Sequence, residues 1–327
     1  MTLLRSLLIG CLALLTSTMA QAAPLVVYSS APASLAKHLA AGFEKATGTP
    51  VALYTSSTGK IMARLAAEAS HPHADVVILA DWTAGLALAH DGLVLPYHPQ
   101  SIETKLRANA RTQGPFLPIG ADVLGLVVNS QMVPADRYPH DWFDLTEPRW
   151  RDKLSMPSPL LSGTASDFLL AMTARYGERA WTWLDQLKAN GCIWPGTNAA
   201  SLRPVEMGQR ALMVNGVGHT AIKAKLAGNS LDLLMPNSGV LLIPRPILIL
   251  KSTSQPTLAE HFVDYALSPA GQQMVAQALL LPALASAPPN PAWGNPDELH
   301  ILPVDWNALA TQRAEVLARF KREILDQ

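Results

Sequence analysis

Small hydroxyl residues and glycines gather at three points where an apolar run gives way to a helical pattern: Ser29-Ser30, Ser57-Thr58-Gly59 and Ser162-Gly163-Thr164. The start of a helix offers unpaired N–H groups and a partial positive charge, and short hydroxyls add donors without filling the space. Such a set suits a tetrahedral oxyanion. Ser and Thr are also ordinary helix N-caps, so a single cluster could be a cap alone. Recurrence at three equivalent handovers favours one shared cradle. Asp81 follows a third apolar run, Val76-Val77-Ile78-Leu79, and stands either as the ligand of an amine or as the cap of a helix from Trp82 to His90. His219, after Asn215-Gly216-Val217-Gly218, opens another helical segment, where the dipole favours a neutral imidazole used for hydrogen bonding. Lys60, in a first helical turn, opposes the dipole unless it meets an anion or solvent.

Catalytic constellations are incomplete. Ser57-Thr58-Gly59-Lys60 has the Ser-x-x-Lys spacing of penicillin-recognising acyl enzymes, but Ser166-Asp167-Phe168 lacks the Asn of Ser-Asp-Asn and no Lys-Thr-Gly occurs. Tyr54 stands where a phosphate-binding loop needs its first Gly, and no Gly-x-Ser-x-Gly elbow is present. His71-Pro72-His73 has no zinc-ligand partner, and neither His-Glu-x-x-His nor Cys-x-x-Cys occurs. A binding protein is expected, with no catalytic residue, metal or cofactor.

The residues need elements to hold them. Leu25 to Tyr28, Val51 to Tyr54 and Val76 to Leu79 are short apolar strands alternating with helical stripes at Leu35, Leu39 and Phe43 and at Ile61 and Leu65. Strands apolar on both faces imply a parallel sheet covered by helices. Val123 to Val128, Val240 to Ile243 and Ile247 to Leu250 are strands that bracket a middle section, with helices at Phe168–Tyr176, Ala180–Leu187 and Leu202–Gln209 and a strand at Ala211–Val214 ending at Asn215-Gly216. Helices return around 258–267, 270–279 and 306–324. The predicted fold is α/β, two Rossmann-like lobes joined by two crossings, with 23–122 and 241–327 in lobe 1 and 123–240 in lobe 2. Ligands of such sheets bind at the carboxyl ends of the strands.

The 327 residues carry 25 basic and 25 acidic groups, 49% apolar residues and 15% charged ones. That composition favours a folded core over disorder and leaves no basic footprint for nucleic acid. Arg5, the apolar run Leu7 to Leu15 and Ala20-Gln21-Ala22 form a signal peptide cut after Ala22, so residues 1–22 direct export to the periplasm. Leu8-Ile9-Gly10-Cys11 is a poorer lipoprotein box, with too little apolar chain ahead of the cut. Cleavage leaves Cys192 alone, without a disulfide, in a segment expected to start a buried strand. The mature chain is expected to be a monomer.

Val26 to Ser30, Gly42-Phe43-Glu44-Lys45-Ala46-Thr47-Gly48, Ser57-Thr58-Gly59, Ala74-Asp75-Val76-Val77, Ser162-Gly163-Thr164-Ala165 and Ser268-Pro269-Ala270-Gly271-Gln272 resemble, in order, the extracytoplasmic solute-binding proteins of ABC importers. The resemblance is to the type II cluster that includes ferric-iron, phosphonate, sugar-phosphate and molybdate binders. It implies lobes closing on a small solute and delivery to an inner-membrane permease; a sensing role would use the same closure. Ferric members hold iron through consecutive tyrosines, whereas Gly216-Val217-Gly218-His219-Thr220 has none. Neutral hydroxyls suit a phosphonate or phosphate ester better than ferric iron, and molybdate stays open. Oxyanion contacts are assigned to Ser29, Ser30, Ser57, Thr58, Ser162, Gly163 and Thr164, with Asp81 and His219 reading the rest of the solute.

Overall fold

The computed structural model describes residues 23–111 and 114–326; the signal segment and its cleavage point lie outside them. Among the described residues, ten strands form one mixed sheet: β1 Leu25–Ser29, β2 Val51–Thr55, β3 Val76–Ile78, β4 Val94–Leu95, β5 Leu117–Asn129, β6 Leu154–Ser155, β7 Leu212–Val217, β8 Leu231–Leu234, β9 Leu241–Leu250 and β10 Leu281–Pro282. The helices are α1 Ala33–Thr47, α2 Thr58–Ala67, α3 Trp82–His90, α4 Gln100–Glu103, α5 Gly163–Tyr176, α6 Glu178–Ala189, α7 Asn198–Glu206, α8 Gly218–Leu226, α9 Pro256–Ala266, α10 Pro269–Gln277 and α11 Trp306–Phe320. The main path runs β2-β1-β3-β9-β5-β7-β6.

The first three strands pair in parallel, as their apolar runs predict. Side chains alternate between two layers: Leu25, Val27, Val76 and Ile78 pack with α1 and α9, whereas Tyr28, Val77 and Leu79 pack with residues of α2 and α3. A second pair of layers surrounds the middle section, where Leu124, Leu126 and Val128 face α5 and α6 while Val127 and Met213 face α7 and α8.

Strands β5 and β9 are the crossings, antiparallel to each other along most of their length. Each begins in one core and ends in the other: Leu117 and Ile119 belong with α1, Leu124 and Leu126 with α5; Leu241 and Ile243 belong with α5, Ile247 and Ile249 with α1. The sequence suggests a break at Pro244-Arg245-Pro246. The strand instead runs through it, with a register shift between Pro118 and Gly120 on the facing strand. Strand β7 likewise continues past Asn215-Gly216 to Val217.

The C-terminal helix, in the segment expected to belong to lobe 1, also packs on the middle section. Leu309, Val316 and Phe320 of α11, with Ile324 beyond it, enter the core around α5 and α6. The same helix carries Arg313 to the start of α3 in the first lobe. Cys192 is a buried free thiol whose ionisation burial pushes up. It opens no strand; only Ile193 forms a single bridge, to Ser155.

Candidate functional site

The exits of β1, β2 and β3 are tied together by hydroxyls. Thr58 Oγ1 lies 3.1 Å from Ser30 Oγ and accepts from the Ala80 N–H at 3.2 Å. Ser30 N–H donates to the Ile78 carbonyl at 2.8 Å, and Ser56 N–H to the Ser29 carbonyl at 3.1 Å. Ser29 Oγ accepts from Ala31 N–H at 3.1 Å, shaping the turn into α1. Ser57 stands at the N-cap of α2 but makes no capping bond, and its Oγ is buried without a partner. Lys60 is exposed and does not reach that oxygen, so the Ser-x-x-Lys spacing does not assemble a nucleophile and its base.

The second lobe brings the start of α5 to the same place. Ser162 caps that helix, its Oγ accepting from Ala165 N–H at 3.3 Å. Thr164 Oγ1 sits 3.1 Å from Ser162 Oγ and accepts from Asn198 Nδ2 at 3.0 Å, fixing both hydroxyls against the start of α7. Gly163 permits the close approach of the lobes: a Cβ there would lie 2.2 Å from Asp81 Oδ1 and 2.6 Å from Thr58 Oγ1. Gly59 does the same in reverse, its Cβ position falling 2.4 Å from the Leu160 carbonyl oxygen. Thus the starts of α2 and α5 meet across the seam, and Ser30, Ser57, Thr58, Asp81, Ser162, Gly163 and Thr164 fall in one neighbourhood.

Asp81 is fully buried and does not cap α3. Its Oδ2 accepts from Arg313 at 2.9 Å, and the cap is supplied across the seam by Asp167, which accepts from Trp82 N–H at 2.7 Å and from the Thr83 hydroxyl. Burial, reinforced by the charge of Asp81, pushes the Asp167 carboxyl up to about 8. His219 lies apart from the hydroxyls. Its Nδ1 is 2.6 Å from Asp122 Oδ1, and Asp122 Oδ2 accepts from Arg245 Nε at 2.8 Å. Burial opposes ionisation of Asp122, but the Arg245 guanidinium and the His219 ring hold its carboxyl below the usual range. Arg245 also donates to the Ser30 carbonyl at 3.2 Å, linking this group to the first-lobe cluster.

Asp122, Asp167, Asn198, Arg245 and Arg313 were not singled out from the sequence. Asp122 and Arg245 had a readable signal, a charge inside an apolar strand, which is rarely buried without a partner. Asn215 joins them: it is fully buried, has φ 55°, and neither side-chain polar atom has a partner.

The sequence model of the family described as bacterial extracellular solute-binding protein matches residues 72–311. A putative 2-aminoethylphosphonate-binding periplasmic protein of Salmonella paratyphi A is 21% identical over 279 residues, 80% of this chain and 74% of its own. The periplasmic binding protein AfuA from Actinobacillus pleuropneumoniae, solved with exogenous fructose-6-phosphate bound, superposes with a TM-score of 0.86 at 22% identity, over 93% of this chain and 99% of its own. Iron-bound HitA from Pseudomonas aeruginosa superposes with a TM-score of 0.80 at 22% identity, over 90% and 98%. The match over most of the chain and the type II periplasmic binding fold place this protein in the bacterial extracellular solute-binding family, as an ABC-importer component that takes a small solute to a permease.

Proposed function

We propose that the protein captures a phosphonate or phosphate ester in the periplasm, between lobes that close by hinge motion about β5 and β9. The observation that carries this reading is the meeting of two helix starts, α2 and α5, with the hydroxyls of Ser30, Ser57, Thr58, Ser162 and Thr164 around the seam. Helix dipoles and short hydroxyls from both lobes concentrate on one place, where a doubly charged oxyanion would be stabilised in both. The solute is held without covalent chemistry. The lobes divide at the crossings, 23–122 with 241–327 against 123–240, and α11 of the first group straps one to the other.

Ferric iron fits this donor set less well. It favours several anionic oxygens, and the carboxylates nearby, Asp81 and Asp122, are each bonded to a guanidinium. Two relatives of this fold, named for 2-aminoethylphosphonate and solved with fructose-6-phosphate, support the phosphorus oxyanion by analogy. Thermal unfolding tests the reading, because a ligand that binds only the folded state raises its stability by mass action. The melting temperature should rise with 2-aminoethylphosphonate or a sugar phosphate and stay unchanged with ferric citrate. The reverse pattern would replace the oxyanion by iron.

A further inference from the structure

Helix α3 begins without a cap of its own. Asp81 stands at its N-cap position in an extended backbone, yet the side chain makes no capping bond and spends Oδ2 on Arg313. The first N–H groups of a helix need an acceptor, and a buried one left without it is costly. Asp167, 85 residues away in sequence, fills the need: one carboxylate oxygen accepts from Trp82 N–H at 2.7 Å and the other from the Thr83 hydroxyl. Trp82, Thr83 and Asp167 are all fully buried, so water does not compete for these bonds.

The two partners sit in different lobes. Helix α5 carries Asp167 and packs through Phe168 and Leu169 with Trp142, Leu154 and Leu212, whereas α3 packs through Trp82, Ala84 and Leu88 with Tyr28 and Val77. Asp167 follows Gly163 by four residues and so lies on the same face of α5. That face presents Gly163 to Asp81 and Thr58, and one turn later Asp167 to α3. Gly163 only makes room; Asp167 supplies an attraction. On the first lobe the Ala80 N–H, two residues before Trp82, donates to Thr58 Oγ1. The turn that Asp167 grips is therefore the turn that fixes a hydroxyl of the cradle.

We propose that Asp167 and the start of α3 form a latch between the lobes, which biases the hinge toward closure and sets solute affinity from outside the cradle. Opening takes α5 away from α3 and gives the Trp82 N–H, the Thr83 hydroxyl and the Asp167 carboxyl to water; closing restores the two bonds. Such a latch acts through populations, because the affinity for a solute held only between closed lobes scales with the share of molecules already closed. Asp167 is thus a positioning residue. The inference rests on the hinge closure proposed above and is independent of the identity of the solute.

Small-angle scattering of the solute-free mature chain tests the latch directly. Asp167→Ala should show a larger radius of gyration than wild type, and its affinity for 2-aminoethylphosphonate in calorimetry should fall by about threefold to thirtyfold, the worth of one lost helix cap. Asp167→Asn, whose amide oxygen still accepts from Trp82 N–H, should return both quantities close to wild type, which a general loss of structure would not allow. Thr83→Val removes one of the two bonds from the facing lobe and should move both quantities in the same direction by less, so the test stands even if Asp167→Ala fails to fold. Identical solute-free scattering in wild type, Asp167→Ala and Thr83→Val would overturn the latch. A wild type that binds no 2-aminoethylphosphonate, with scattering that still responds to Asp167→Ala, would overturn the phosphonate reading and leave the latch standing.

Discussion

Replacing Gly163 by alanine tests whether the two helix starts meet as described. The added Cβ would stand 2.2 Å from Asp81 Oδ1 and 2.6 Å from Thr58 Oγ1. Neither neighbour can yield easily, since Asp81 is held by Arg313 and Thr58 Oγ1 by Ser30 and the Ala80 N–H. Relief to an ordinary contact therefore requires the lobes to part by about 1 Å. The cost, about 1–3 kcal/mol by the usual penalty for overpacking, falls on the closed arrangement alone. Gly163 is the first residue of α5, so alanine there changes the helix's own stability little. Affinity for 2-aminoethylphosphonate should accordingly fall by about fivefold to a hundredfold, while the melting temperature of a form with its lobes apart is not lowered. Titration calorimetry gives the first quantity, and small-angle scattering with and without solute shows whether closure is lost. Wild-type affinity in Gly163→Ala would refute the seam, and the same substitution at Gly59, whose Cβ would fall 2.4 Å from the Leu160 carbonyl, repeats the test from the other lobe.

Two further outcomes follow from the buried charges. The folded state keeps a proton on Asp167 up to pH about 8, whereas the unfolded chain loses it near the ordinary value of about 4. The stability associated with that group is thus full below pH about 4, declines as pH rises, and levels off above 8; Asp167→Asn should flatten this fall in a melting-temperature series from pH 5 to 8, and parallel curves would contradict it. Asp122→Asn leaves the buried Arg245 and His219 without their anion and should cost about 3–5 kcal/mol in urea unfolding, so a variant as stable as wild type would remove that group from the hinge.

Much of the frame was legible in the sequence because its signals are local. The apolar runs of β1 to β3 specify strands that pair in parallel, β1 and β3 buried and β2 a half-exposed edge, and the helix Trp82–His90 falls where its pattern puts it. The hydroxyl clusters were also visible as residues that begin helices. What was hidden depends on contacts distant in sequence. Nothing about Arg313, on a helix that also carries Arg319, marks it as the partner of Asp81, 232 residues away. The choice between cap and ligand for Asp81 could not be made locally either, because the cap comes from Asp167 in the other lobe. Arg245 was obscured by its two flanking prolines, which read as a strand break although the strand continues through them.

Native mass spectrometry of the protein released from cells without denaturation tests the central claim most directly. A retained small molecule whose mass and fragments contain a phosphonate or phosphate group is the predicted result. A retained iron ion, or a solute with no acidic oxygen group, would contradict the account.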